Sequence, residues 1–77
     1  MVFQMEKIKK SELNYAHQEI LNKGYSVSDF LIFYKDKPEK SIVITRKSQE
    51  ITKIYFGERI EKWILFFVED LQKHEYG

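Results

Sequence analysis

The sequence predicts a small α/β domain of the α+β type, in which a three-stranded antiparallel meander packs on two helices in the order α-β-β-β-α. Apolar residues change from helical spacing to a two-residue alternation at Tyr25, and they return to helical spacing after Gly57. The alternating segments are joined by short polar turns, which allow antiparallel hairpins and exclude parallel crossovers. With 77 residues, the chain is expected to form one two-layer domain over residues 1–77.

Residues 1–10 are ambiguous, because Phe3 and Met5 alternate with polar residues as in a strand although a helical spacing also fits.

The first helix is expected between two residues that are typical of helix ends. Ser11 has the chemistry of an N-cap, and Gly24 that of the C′ residue beyond a helix end. The apolar residues that recur at helical spacing between these two residues are Leu13, Ala16, Ile20 and Leu21.

Three strands follow, each rich in β-branched and aromatic residues. The first is expected over residues 27–34 and ends at a turn over residues 36–39, which contains the only proline. The second is expected over Ser41–Arg46 and the third over Ile51–Phe56, with a polar turn at residues 47–50 between them.

The alternation within each strand divides the sheet into two faces. We expect the more apolar face to lie under the helices: Phe30, Ile32, Tyr34, Ile42, Ile44, Ile54 and Phe56. The other face would be open: Leu31, Phe33, Lys35, Val43, Thr45, Lys53 and Tyr55. Because one face of an antiparallel sheet is normally solvated, the apolar residues of this second set predict that the face is covered, either by the N-terminal segment or by something else.

A second helix is expected from about residue 58 to residue 73, because good helix formers flank the apolar run at residues 63–68. Its expected core stripe is Ile60, Ile64, Phe67 and Leu71, flanked by Trp63 and Val68. Leu65 and Phe66 fall outside that stripe, among charged residues. Either one of them is covered by the N-terminal segment and the other is simply exposed, or both belong to a surface that binds a partner.

The composition limits how so small a domain can be stabilised. A chain of this length buries only about 60% of the surface that its unfolded form exposes. Cysteine is absent, which removes disulfides and thiolate metal sites. Twelve aromatic residues (one Trp, five Tyr and six Phe) leave aromatic packing and self-association as the expected means of stabilisation.

Catalytic and cofactor signatures are missing from the sequence. A nucleophile needs a nearby base, yet the chain has only His17 and His74 and no cysteine. The three glycines are isolated and form no phosphate-binding loop. We therefore predict no catalytic residue, no metal site and no cofactor, and a protein that is not an enzyme.

Location and source are inferred from composition alone. Residues 1–10 lack the continuous apolar run of a signal peptide, and residues 63–68 are far shorter than the roughly 20 residues of a membrane span. A cytoplasmic protein with no membrane contact is expected. The high usage of Lys, Ile, Phe and Tyr suggests an AT-rich bacterial or phage genome.

The predicted order of elements is similar to that of the double-stranded RNA-binding domain. In that family the second helix begins with a lysine-rich motif that contacts phosphates. Here the corresponding segment is Gly57-Glu58-Arg59-Ile60-Glu61-Lys62, in which two acids stand among the bases. The resemblance therefore concerns topology, and no nucleic-acid site is transferred from it.

Two functions remain as hypotheses. The first is an interaction domain that binds a protein partner or forms a homodimer, with candidate residues Leu65, Phe66, Leu31, Phe33 and Tyr55. The second is a nucleic-acid-binding module, in which aromatic residues of the open sheet face stack on bases while basic residues neutralise phosphates. Its candidate residues are Phe33, Tyr55, Lys35, Lys53 and Arg46. The net charge of +1 gives no global electrostatic attraction for nucleic acid.

Overall fold

A computed structural model describes residues 9–35, 40–57 and 60–77. It confirms the predicted α+β class and the predicted order of elements. The two helices are α1 (Lys10–Asn22) and α2 (Ile60–Gln72). The strands β1 (Phe30–Lys35), β2 (Ser41–Arg46) and β3 (Ile51–Phe56) form an antiparallel sheet in the order β1-β2-β3. Residues 1–8 of the ambiguous segment 1–10, and the predicted turn at residues 36–39, lie outside the described residues, whereas Lys10 is the first residue of α1.

The start of α1 differs from the prediction, whereas its end agrees. The amide of Leu13 already donates to the carbonyl of Lys9 at 2.9 Å, so Ser11 lies within the first turn and is not the N-cap. At the other end Gly24 has a φ of 87° and donates to Leu21, while Tyr25 donates to the carbonyl of Ile20. These paired bonds form a Schellman motif, which requires the left-handed backbone that glycine adopts without strain.

The first strand begins later than predicted. Residues Val27–Asp29 form a 3₁₀ turn, and the extended backbone starts only at Phe30. The amide of Asp29 donates to the carbonyl of Ser26 at 3.1 Å, which closes this turn. Local hydrogen bonding therefore prevails over the β propensity of this segment.

The register of the sheet corrects the predicted faces in β3. The rows on the helix side are Phe30–Arg46–Ile51, Ile32–Ile44–Lys53 and Tyr34–Ile42–Tyr55. The rows on the other side are Leu31–Thr45–Thr52, Phe33–Val43–Ile54 and Lys35–Ser41–Phe56. Lys53 and Tyr55 therefore lie on the helix side, and Ile54 and Phe56 lie on the open side, opposite to the prediction for both pairs.

The length of the β2–β3 loop explains this inversion. Arg46 pairs directly with Ile51, so the loop contains the four residues 47–50. Even-numbered residues of β2 therefore share a face with odd-numbered residues of β3. Glu50 closes the loop with a φ of 54° in the left-handed region. The predicted faces of β3 were based on hydrophobicity alone. The length of the β2–β3 loop instead determines which β3 residues face the helices.

Aromatic rings form the centre of the core, around Phe67 of α2. Its ring centroid lies 5.8–6.3 Å from those of four other rings, three of them in edge-to-face geometry. Each such pair contributes about 0.5–1.5 kcal/mol beyond its area burial. The four rings belong to Phe30, Tyr55, Trp63 and Tyr76.

Candidate interaction surface

Helix α2 is held to the sheet along the predicted stripe. Trp63, Ile64, Phe67 and Leu71 are buried, while Ile60 and Val68 pack against the core as half-buried residues. The helix phase inferred from the sequence is therefore confirmed. Because this inner side is fully used by the core, the opposite side of α2 has a fixed orientation toward solvent.

A buried polar network also anchors α2 to β3. The Tyr55 hydroxyl donates to Asp70 Oδ2 of α2 at 2.7 Å. The Tyr76 hydroxyl lies 2.7 Å from the Tyr55 oxygen, and it donates there because the Tyr55 proton is already directed at Asp70. These bonds satisfy the hydroxyls of two buried rings, which would otherwise lose their hydration without replacement.

Burial raises the pKa of the Tyr55 hydroxyl well above its ordinary value, and the bonds to Tyr76 and Asp70 act in the same direction. Burial likewise raises the pKa of the Tyr76 hydroxyl. Both hydroxyls are therefore neutral over the physiological range, and they contribute hydrogen bonding and packing around the Asp70 carboxyl group. The network of Tyr55, Asp70 and Tyr76 positions α2 against β3.

The solvent-facing side of α2 carries the two residues that the sequence singled out. Leu65 is 70% exposed and Phe66 is 60% exposed, so their predicted position outside the core is confirmed. Exposed charged side chains surround them, and Lys73 Nζ lies 3.7 Å from Glu69 Oε2. We call this region the outer α2 surface; it consists of Lys62, Leu65, Phe66, Glu69 and Lys73.

A second exposed apolar region is formed by sheet residues on the side that faces away from the helices. Leu31 and Phe33 lie there as predicted, and Ile54 and Phe56 join them, at 50% and 61% exposure. Tyr55, which was expected here, is instead buried under α2 because of the inverted phase of β3. We call this region the open sheet face; its apolar members are Leu31, Phe33, Val43, Ile54 and Phe56.

Arg46 does not lie on the open sheet face, where the nucleic-acid hypothesis placed it. Its Nε donates to Asp29 Oδ2 at 2.9 Å, and its Nη1 donates to the carbonyls of Tyr76 and Gly77 at 3.2 and 2.9 Å. Its guanidinium also lies 4.8 Å from the ring centroid of Tyr25. The hydrogen bond from Ser48 is the main cause that lowers the pKa of Asp29, and Arg46 acts in the same direction. The guanidinium of Arg46 is thus engaged in contacts within the fold.

Lys53 is also displaced from the expected site. It lies on the helix side of β3, where its Nζ approaches Glu75 Oε1 at 3.8 Å. Of the five residues chosen for nucleic-acid binding, only Phe33 and Lys35 share the open sheet face. The three corrected residues, Arg46, Lys53 and Tyr55, lie on the other side of the sheet.

Tyr76, which no sequence pattern indicated as a core residue, is fully buried and contacts both Phe30 and Phe67. It follows the end of α2, where the amide of Glu75 donates to the carbonyl of Asp70 at 2.8 Å and His74 has a φ of 59°. This is a second Schellman turn, formed without the usual glycine. Because the glycine signal is missing, the sequence did not indicate that the chain turns back into the core.

Within the described ranges, no three His, Asp or Glu residues converge as a metal site would require. None of the helices in those ranges combines the length and apolar character that crossing a membrane requires. No protein-family model, curated protein or solved structure matches this chain.

Proposed function

We propose that this protein is a cytoplasmic, non-enzymatic interaction domain that binds another protein chain through the outer α2 surface. The observation that supports the proposal is the exposure of Leu65 and Phe66 on a helix whose inner side is already complete. Neither side chain contributes to the core, so the fold alone does not account for two large apolar residues at these positions.

Leaving Leu65 and Phe66 in water forgoes the free energy that their burial would provide. Full burial of a large apolar side chain is worth about 1.5–3 kcal/mol relative to exposure. A groove on a partner, or the same surface on another copy, would recover much of this for both residues. Helix-in-groove recognition uses apolar anchors of this kind, presented from one side of a helix.

The outer α2 surface is a stronger candidate than the open sheet face for two reasons. On the open sheet face Phe33 and Val43 are half-buried and only Phe56, at 61%, is as exposed as the α2 pair, whereas both apolar residues of the outer α2 surface are at least 60% exposed. The network of Tyr55, Asp70 and Tyr76 also fixes the orientation of α2 before any partner arrives. A pre-ordered anchor loses less conformational entropy on binding.

The test is site-specific photocrosslinking in cells. Phe66 is replaced by p-benzoylphenylalanine, and the same substitution at Gln18, an exposed polar residue of α1, is the matched control. We expect position 66 to give a discrete protein adduct and position 18 to give none. Adding Leu65→Lys beside the crosslinker should abolish the adduct, because a charge in the apolar contact opposes binding.

A second arm uses the purified double variant Leu65→Lys, Phe66→Glu. It should retain the wild-type circular dichroism spectrum, because both residues lie outside the core. Unfolding of this variant, or equal labelling from positions 66 and 18, contradicts the proposal. Retention of oligonucleotides at low salt, weakened by Lys35→Glu, would instead favour the nucleic-acid hypothesis through the open sheet face.

A further inference from the structure

Two of the three charged residues of the outer α2 surface, Lys62 and Glu69, are arranged symmetrically about its apolar pair. Lys62 precedes Leu65 by three residues, and Glu69 follows Phe66 by three residues. The midpoint between Leu65 and Phe66 is therefore also the midpoint between a base and an acid. This pattern bears on which partner the surface fits, and the inference rests on the proposed function.

Helical geometry places these four residues on one side of α2. At about 100° per residue, Lys62 and Glu69 point within about 20° of each other, directly away from the buried stripe. Leu65 and Phe66 project about 50° to either side of that direction. Along the axis, Lys62 and Glu69 each lie about 5 Å from the midpoint, at opposite ends of the apolar pair.

We propose that the partner is a second copy of this chain, and that two α2 helices pack antiparallel about a two-fold axis at the Leu65–Phe66 midpoint. In this arrangement Leu65 and Phe66 of one copy meet the same pair of the other. Lys62 of each copy then lies at the same height as Glu69 of the other, so the interface contains two equivalent ion pairs. Such a self-complementary surface is what a two-fold interface requires.

Charge complementarity selects the antiparallel direction. In a parallel pair, Lys62 would face Lys62 and Glu69 would face Glu69, which places like charges together at both ends. The antiparallel pair replaces both repulsions by attractions. The existing contact between Glu69 and Lys73 does not prevent this, because it is long at 3.7 Å and both groups are exposed. A carboxylate also accepts hydrogen bonds from more than one cation.

The expected affinity is modest. One helix pair with two apolar anchors per copy buries less than the roughly 1,200–2,000 Å² of a standard stable interface. Association should therefore depend on protein concentration and weaken at high salt, because the two ion pairs lie at the ends of the apolar contact, where solvent ions screen them.

Charge reversal tests the geometry. The variants are Lys62→Glu, Glu69→Lys, their combination, and Glu61→Lys as a control on the flank of the same helix. Each single reversal turns two attractions into two repulsions, so we expect the dimer dissociation constant to rise about tenfold. The combined variant should return to near the wild-type value. Sedimentation velocity across a concentration series measures association, and circular dichroism verifies the fold of each variant.

Mixing the two single variants provides the sharpest readout. One copy then carries two acids and the other two bases at these positions, so every cross-chain contact is attractive. The mixture should form a heterodimer more tightly than either variant forms a homodimer. Glu61→Lys should leave association unchanged within about twofold, because its side chain points about 90° from the contact direction.

The outcomes separate this inference from the proposed function. Wild-type protein that is monomeric at every concentration, or single reversals that leave dimerisation unchanged, overturns the antiparallel homodimer. If position 66 still crosslinks to a different protein, the proposed function stands while this inference fails. If position 66 crosslinks to nothing, both fail.

Discussion

Phe66 and Phe67 are adjacent and chemically identical, yet the first is 60% exposed and the second is fully buried. The difference comes from the helical step of about 100° per residue, which turns the second ring into the core and leaves the first in water. Phe67 contacts four aromatic rings, whereas Phe66 lies among charged side chains. The comparison separates residues that α2 needs for folding from residues available for binding.

The largest expected effect comes from Phe67→Ala. Removing a buried phenylalanine costs about 3–5 kcal/mol of unfolding free energy, because transfer and cavity terms add. In a domain this small that loss could unfold the protein. Phe66→Ala, the matched control, should change the stability of the monomer by less than about 0.5 kcal/mol. Urea melts at low protein concentration measure both, and equal losses would break the contrast between the two sides of α2.

An intermediate effect is expected from Tyr55→Phe, which keeps the ring but removes the hydroxyl between Asp70 and Tyr76. Leaving their polar groups without a partner costs about 1–3 kcal/mol. Wild-type and variant melts at neutral pH provide the measurement. A loss near zero would show that water replaces the hydroxyl and that the inner side of α2 depends on packing alone.

The same variant has a signature at alkaline pH. Because the pKa of Tyr55 is raised on folding, the unfolded chain loses this proton first, at about pH 10. The stabilisation is complete below that pH and is lost as the pH rises above it. Tyr55→Phe should therefore reduce the slope of unfolding free energy against pH above pH 10. An unchanged slope would contradict the buried position of this hydroxyl.

The smallest effect is expected on the outer side, from Lys73→Gln. Its ion pair with Glu69 joins exposed groups of one helix, and such pairs contribute about 0.3–0.5 kcal/mol. We expect a loss of that size in urea melts at low salt and none at high salt. A larger loss of unfolding free energy that does not depend on salt would mean that these charged residues stabilise the fold.

The sequence was sufficient to predict α2 and its two sides because thirteen residues of helix contain a clear periodicity. Charged residues flank the apolar run and leave a single phase that buries the stripe at Ile60, Ile64, Phe67 and Leu71. The exposure of Leu65 and Phe66 follows from that phase. Their binding role does not follow from it and remains a proposal.

The phase of β3 could not be predicted from its own six residues. Ile54 and Phe56 are more apolar than Lys53 and Tyr55, and hydrophobicity therefore favoured the wrong face. Tyr55 is nevertheless suited to the core, because Asp70 and Tyr76 provide partners for its hydroxyl. Those partners are 15 and 21 residues away, and no local pattern connects them to β3.

Arg46 has a consequence for the order in which the chain assembles. It joins Asp29, Tyr25 and the carbonyls of residues 76 and 77, so its contacts close loops of 17 to 31 residues. The two hairpins beside it close loops of four or five residues and should form earlier, because loop-closure entropy grows with length. We therefore expect the contacts of Arg46 to form late in folding, so that they lower the rate of unfolding more than they raise the rate of folding.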